Sequence, residues 1–138
     1  MDINLWAVVA AAIAQFIIGA IWYMPLFGGV WGKIHGFEKY SKKDQAQMQK
    51  DMMPWLGVQF VMGLATAFVL AMAISLLPNQ SVYAIAFWAW IGFFVPTQAS
   101  AVIFGGTAPK WMATKIAIMA GGALACLMIS AFILSVIK

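Results

Sequence analysis

Four long apolar runs, separated by polar or turn-forming stretches, dominate the pattern of this chain. Residues 3–24, 55–77, 82–104 and 111–137 are each long enough for a spanning helix, which takes about 20 mostly apolar residues. These runs lack the strict alternation that a transmembrane β-barrel requires. The pattern therefore predicts an all-α integral membrane four-helix bundle, built as one domain over residues 1–138.

The connections between the four runs differ greatly in length. The short stretches PNQ and GGTAPK are rich in helix breakers, so they predict tight turns between antiparallel neighbours. The longer loop, residues 25–54, contains SKKD starting at Ser41, which matches a capping box. We expect a short amphipathic helix from about Lys42 to Met52, ending before Pro54 because the residue before a proline disfavours helix.

Composition and charge place the chain in a membrane and orient it. Hydrophobic residues make up 64% and charged residues 9%, against about 45–50% and about 25% in soluble domains. The net charge of +4 comes with eight lysines and no arginine, and no nucleic-acid motif accompanies it. Seven lysines flank the same side of the predicted bundle: Lys33, Lys39, Lys42, Lys43, Lys50, Lys110 and Lys115. The positive-inside rule predicts a cytoplasmic loop 25–54 and both termini outside, with the lipid bilayer as partner.

Small residues recur at four-residue spacing along three of the runs. Such lines let helices approach closely, because lipid provides no hydrophobic drive between them. The lines comprise Ala7, Ala11, Gln15 and Gly19; Gln59, Gly63, Ala67, Ala71 and Ser75; and Ala113, Ala117, Gly121 and Ala125. We expect tight helix packing at Gly19, Gly63, Ala67, Gly121 and Ala125, within one chain or between copies.

Polar side chains are concentrated in the predicted cytoplasmic half of the spans. They form a candidate intramembrane site of Gln15, Gln59, Thr97, Gln98, Ser100 and Lys115. Pro96 should kink the third span and free a backbone carbonyl, which neighbouring polar groups could satisfy. One interpretation is structural hydrogen bonding around that kink, with Lys115 reaching the headgroups. The other is a polar cavity open to the cytoplasm, with Lys115 as its cation.

The residue inventory argues against catalysis and metal binding. The predicted spans contain no acidic residue, and no His, Asp, Glu and Ser constellation suits acid–base or nucleophilic chemistry. One cysteine, Cys126, and one histidine, His35, provide no metal-ligand motif. We therefore predict neither an enzyme nor a cofactor.

Two stretches carry a resemblance to a known family. GAIWYMPLFGGVWGK, residues 19–33, resembles the start of the bacterial family called "domain of unknown function 1761", and residues 90–117 are similar to its third and fourth spans. The resemblance implies a small four-span protein of the bacterial cytoplasmic membrane. It also implies importance for a helix corner and a kink, at Trp22, Tyr23, Pro25, Pro96, Thr97 and Gln98. The sequence IAIMAGGALA departs from that family, whose fourth span often carries aromatic or histidine residues there.

Three functional interpretations follow. The first is a structural or interaction bundle that forms a homo-oligomer through its small-residue lines. The alternative is a small transporter or pore with a polar site in the cytoplasmic half of the bilayer. A third is a regulatory module whose Lys42, Lys43 and Lys50 contact a partner or anionic lipid. The sequence identifies no small-molecule ligand and no oligomer number.

Overall fold

The fold consists of helices joined by short turns. A computed structural model describes residues 2–138. The helices are α1 (Leu5–Ile21), α2 (Gly28–Ile34), α3 (Lys42–Leu76), α4 (Val82–Ala89), α5 (Val95–Phe104) and α6 (Met112–Val136). The four candidate spans are Leu5–Leu26, Lys42–Leu76, Val82–Phe104 and Pro109–Val136. The predicted four-span, all-helical architecture is confirmed.

The first span lies between the second and the fourth, and it packs on both. Val8 and Ala11 of α1 are buried against Ala67 and Ala71 of α3. These residues belong to, or adjoin, the small-residue lines that the sequence indicated. On α1 and α3, therefore, the lines allow close approach of two helices within one chain.

The third span rests on the fourth. Both α4 and α5 pack against α6, and Leu70 of α3 joins Ile85 and Leu127 in a cluster where α3, α4 and α6 meet. Within residues 2–138, α3 and α5 make at most marginal contact with each other. The first half of α3 and much of α5 therefore present open faces, on which Trp55 of α3 and Phe104 of α5 are exposed.

The long helix α3 begins where the sequence predicted and ends much later. The Ser41 hydroxyl accepts a hydrogen bond from the Asp44 amide at 3.2 Å, so the predicted cap at the start is confirmed. The predicted end before Pro54 is wrong, because α3 continues through Pro54 to Leu76. Proline removes only one backbone donor, and this part of α3 is exposed, so water can satisfy the carbonyl of Lys50.

The separate short helix between the first two spans is α2. It consists of GGVWGKI, residues Gly28–Ile34, whereas the predicted Lys42–Met52 segment is the first third of α3. A 35-residue helix is about 52 Å long, well beyond the roughly 30 Å hydrocarbon core. The start of α3 therefore projects from the membrane at the lysine-rich end.

Pro25 and Pro96 each accompany a π-helical turn. Trp22–Leu26 contains Pro25, and Trp90–Phe94 precedes Pro96 by two residues. In the first turn the Phe27 amide donates to the Trp22 carbonyl at 3.0 Å, a bond that spans five residues. The predicted irregularity at Pro96 is thus a widened turn, which is a known way for a helix to absorb a proline or an insertion.

Candidate functional site: the aromatic cap and the polar side chains of the spans

The indole of Trp22 is docked on two glycines of α6. Its Nε1 donates to the Ile118 carbonyl at 2.8 Å. A Cβ on Gly121 would lie 2.9 Å from Cζ2 of this indole, and one on Gly122 would lie 3.0 Å from its Cδ1. Both distances are shorter than ordinary carbon contacts of about 3.5–4.0 Å. Only glycine at these two positions leaves room for Trp22 as it stands.

Three further rings after α1 pack against one another in edge-to-face or tilted contacts. The Tyr23 and Trp31 rings lie 4.8 Å apart, and the Trp31 and His35 rings lie 4.5 Å apart. The Nδ1 of His35 donates to the Trp31 carbonyl at 2.8 Å. The Trp22 and Phe27 rings form a second pair, 5.0 Å apart. We call Trp22, Tyr23, Phe27, Trp31 and His35 the aromatic cap.

Lys115 points to the aromatic cap rather than into the middle of the bundle. Its Nζ lies 5.5 Å from the centre of the Trp31 ring, within reach of a cation–π interaction. The residue lies one turn inside α6, so its long side chain can carry the charge to the end of the span. Among the described residues, Lys115 makes no hydrogen bond to an intramembrane glutamine.

Gln15 is the centre of a polar cluster that joins α1 to both α3 and α6. Its Nε2 donates to the Ser130 hydroxyl at 2.9 Å and lies 3.5 Å from the Gly63 carbonyl. Ser130 is fully buried and donates to the Cys126 carbonyl at 2.7 Å. The Cys126 thiol in turn lies 3.6 Å from the Gln15 carbonyl. This closed set of bonds ties α1 to α6 near the middle of the first span.

The other predicted polar residues lie apart from Gln15. Gln59, Thr97 and Ser100 are exposed on the outer surface of the helices. Gln98 is half-buried, and its Oε1 is buried without a hydrogen-bond partner among residues 2–138. An open cavity of about 250 Å³ lies beside it, lined by Phe93, Phe94, Thr97 and Gln98. The structure therefore does not bring the six predicted residues together.

The predicted packing residues have different surroundings. Gly63 and Ala67 are buried, and Gly63 lies against Gln15. Ala125 is half-buried. Nothing lies within 4 Å of a Cβ built on Gly19. In the described part of the chain, Gly19 therefore has no steric need to be glycine.

Comparison with known proteins is informative at the family level. The family model "Protein of unknown function (DUF1761)" matches residues 6–135, nearly the whole chain. The chain belongs to the DUF1761 family. No curated protein and no solved structure matches the chain significantly.

The Trp22, Tyr23 and Pro25 segment lies within the residues that the family model matches. In this DUF1761 protein the segment forms the π-helical turn and supplies the aromatic cap. Across residues 2–138, no three His, Cys, Asp or Glu side chains lie close enough to hold a metal ion. The assembled groups are aromatic faces, amides and hydroxyls, which suit packing and orientation.

Sequence reasoning missed three important residues. Trp90 donates from Nε1 to the Ala120 carbonyl at 2.7 Å. Gly122 and Ser130 also escaped notice. The available signals were the adjacent glycines of α6 and a serine inside an apolar run, but neither signal identifies the residue that makes the contact.

Proposed function

We propose that this DUF1761 protein is a non-catalytic, self-associating bundle of the bacterial cytoplasmic membrane, with both termini outside. Its partner is a second copy of the same chain. The observation that carries the proposal is the exposure of Gln59, Thr97 and Ser100, which lie inside the hydrophobic spans. Polar groups at such positions need a partner that lipid cannot provide.

The depth of these residues can be read from helix geometry. Gln59 lies four residues beyond Trp55, which is about 6 Å along the axis of α3. Thr97 lies seven residues before the end of α5 at Phe104, which is about 10 Å. Each unsatisfied polar group within hydrocarbon costs several kcal/mol. Hydrogen bonding across a subunit interface would remove that cost.

The open faces of the bundle support the same partner. The first half of α3 and the outer face of α5 are not packed against each other, and each carries exposed polar side chains. The buried, unpartnered Oε1 of Gln98 needs a donor, and the open cavity beside it leaves room for a side chain. A second copy can present the Gln59 amide, which is exposed and carries two donors.

The small-residue lines give less support to self-association than their spacing suggested. Ala11, Gly63 and Ala67 are buried by contacts within one chain. Gly121 is occupied by the Trp22 indole. The proposed interface is therefore polar, with Gln59, Thr97 and Ser100 at its centre.

A transporter or pore is the weaker candidate. It would need polar groups that converge on one site, yet Gln15 is bonded to Ser130 while Gln59 lies on the outer surface. The cavity beside Gln98 has about 250 Å³, below the roughly 300 Å³ at which ligand pockets begin. These features favour the self-associating bundle.

Native mass spectrometry of the protein released from lipid nanodiscs tests the proposal. We expect a defined oligomer for the unmodified chain and a shift to monomer for the double variant Gln59→Leu, Thr97→Val. The matched control is Thr66→Val, because the Thr66 hydroxyl already donates to the Met62 carbonyl at 3.0 Å within its own helix. A monomeric unmodified chain, or equal dissociation of variant and control, contradicts the proposal.

A further inference from the structure

A second cavity lies at the lysine-rich end, outside the helix faces just described. It is open and has a volume of about 510 Å³, within the range of small-molecule sites of about 300–1,000 Å³. Two separate segments of the chain enclose it. Its lining consists of Lys33, Ile34, His35, Gly36, Glu38 and Lys39 from one segment, and Ala108, Lys110 and Trp111 from the other.

The charge around this cavity is predominantly positive. Lys33, Lys39 and Lys110 contribute three ammonium groups, and Glu38 contributes one carboxylate, which leaves an excess of two positive charges. The two segments are about 70 residues apart in sequence, so folding brings these lysines around one space. Three ammonium groups around one concavity suit a phosphate-bearing anion.

The cavity also has apolar walls and lies at the end of the spans. Ile34 and Trp111 are half-buried and contribute those walls. Trp111 belongs to the first turn of the candidate span Pro109–Val136, and tryptophan is typical of the membrane–water boundary. The Lys110 Nζ lies 5.9 Å from the centre of the Trp111 ring, so cation and indole share this wall.

We infer that this cavity binds the phosphate headgroup of an anionic phospholipid. The lysines contact the phosphate, and the Ile34 and Trp111 walls contact the glycerol and the first part of the acyl chains. A lipid is favoured over free phosphate because inorganic phosphate has no apolar part that could contact the apolar walls. The inference is independent of self-association, which involves Gln59, Thr97 and Ser100.

The experiment compares two triple variants with equal loss of charge. The pocket variant is Lys33→Gln, Lys39→Gln, Lys110→Gln. The control variant is Lys42→Gln, Lys43→Gln, Lys50→Gln, whose residues lie on α3 at the same end but do not line the cavity. Each protein is placed in phosphatidylcholine nanodiscs with increasing phosphatidylglycerol, and retained lipid per protomer is measured by native mass spectrometry.

If the site is specific, the pocket variant should lose more affinity for phosphatidylglycerol than the control variant does. One lysine near an anionic lipid surface contributes about fivefold in affinity, so the pocket variant should lose about a hundredfold and the control variant less than tenfold. The single variant Lys110→Gln should lose about fivefold in affinity, and it changes only an exposed side chain of the 3-10 turn Pro109–Trp111. Equal losses in both triple variants would show a diffuse surface potential and overturn the inference.

A further experiment distinguishes binding of the lipid from binding of a free anion. Inorganic phosphate is added to the unmodified protein in phosphatidylcholine nanodiscs. If phosphate is retained by the unmodified chain and lost in the pocket variant while phosphatidylglycerol binds equally to both, the lipid assignment is overturned. Retained phosphatidylglycerol that millimolar phosphate does not displace supports it. Larger loss in the control variant would instead favour the start of α3 as the lipid contact.

Discussion

The substitution Gly122→Ala probes the docking of Trp22 on α6. The added Cβ would lie 3.0 Å from Cδ1 and 3.1 Å from Nε1 of the indole. Ordinary carbon contacts are about 3.5–4.0 Å, so the ring must move. Because Nε1 is bonded to the Ile118 carbonyl at 2.8 Å, any such movement also weakens that hydrogen bond.

Three effects determine how much Gly122→Ala changes the free energy of unfolding. Overpacking costs typically about 1–3 kcal/mol. An interhelical hydrogen bond in a membrane contributes about 0.6 kcal/mol. Alanine is favoured over glycine in a helix by up to about 1 kcal/mol, which acts in the opposite direction. We take the middle of the overpacking range, add the weakened hydrogen bond and subtract the helix preference of alanine. We therefore expect Gly122→Ala to lower the free energy of unfolding by about 1.5 kcal/mol.

The assay is reversible unfolding in mixed micelles, followed by tryptophan fluorescence as the SDS mole fraction rises. Gly57→Ala is the matched control, because nothing lies within 4 Å of a Cβ at that helical position. The control should be unchanged or slightly more stable than the unmodified chain.

The decisive comparison repeats Gly122→Ala in a Trp22→Leu background. Without the indole, Gly122→Ala should lower the free energy of unfolding much less than it does in the unmodified chain. The reasoning is refuted if Gly122→Ala is as stable as Gly57→Ala, or if its cost is the same with and without Trp22.

Three further predictions address other contacts. Trp90→Phe removes an Nε1 donor to α6 and should cost about 0.6 kcal/mol in the same unfolding assay; an unchanged midpoint would contradict this. Gln15→Leu should cost about 0.6–1.7 kcal/mol. Since Ser130→Ala removes the same bond, the double variant should cost less than the sum, and strict additivity would count against the contact. Spin labels at Gln47 and Val61 should lie about 21 Å apart along the axis of α3, whereas a much shorter distance would mean a break at its proline.

The four-span architecture was predictable because the hydropathy of each span depends only on its own sequence. Each span buries its backbone hydrogen bonds within itself, so length and apolarity suffice to recognise it. The start of α3 was also local, since Ser41 caps a helix whose sequence follows directly. The continuation through Pro54 was not, because a proline rule describes an average preference and one lost hydrogen bond is small beside a 35-residue helix.

The contacts between helices were not predictable in the same way. Trp22 and Gly122 are 100 residues apart, and no periodicity in either segment points to the other. The residues of the candidate intramembrane site do not lie together for a related reason: equal depth in the membrane leaves the rotation of each helix about its own axis undetermined. Gln15 is turned towards Ser130, whereas Gln59 is turned to the outside.

The most direct test of self-association is subunit counting by single-molecule photobleaching in lipid vesicles, over a range of protein-to-lipid ratios. The account predicts multiple bleaching steps per spot that persist on dilution for the unmodified chain and for Thr66→Val. It predicts single steps for the double variant Gln59→Leu, Thr97→Val. Single steps for the unmodified chain at every dilution would contradict the central claim.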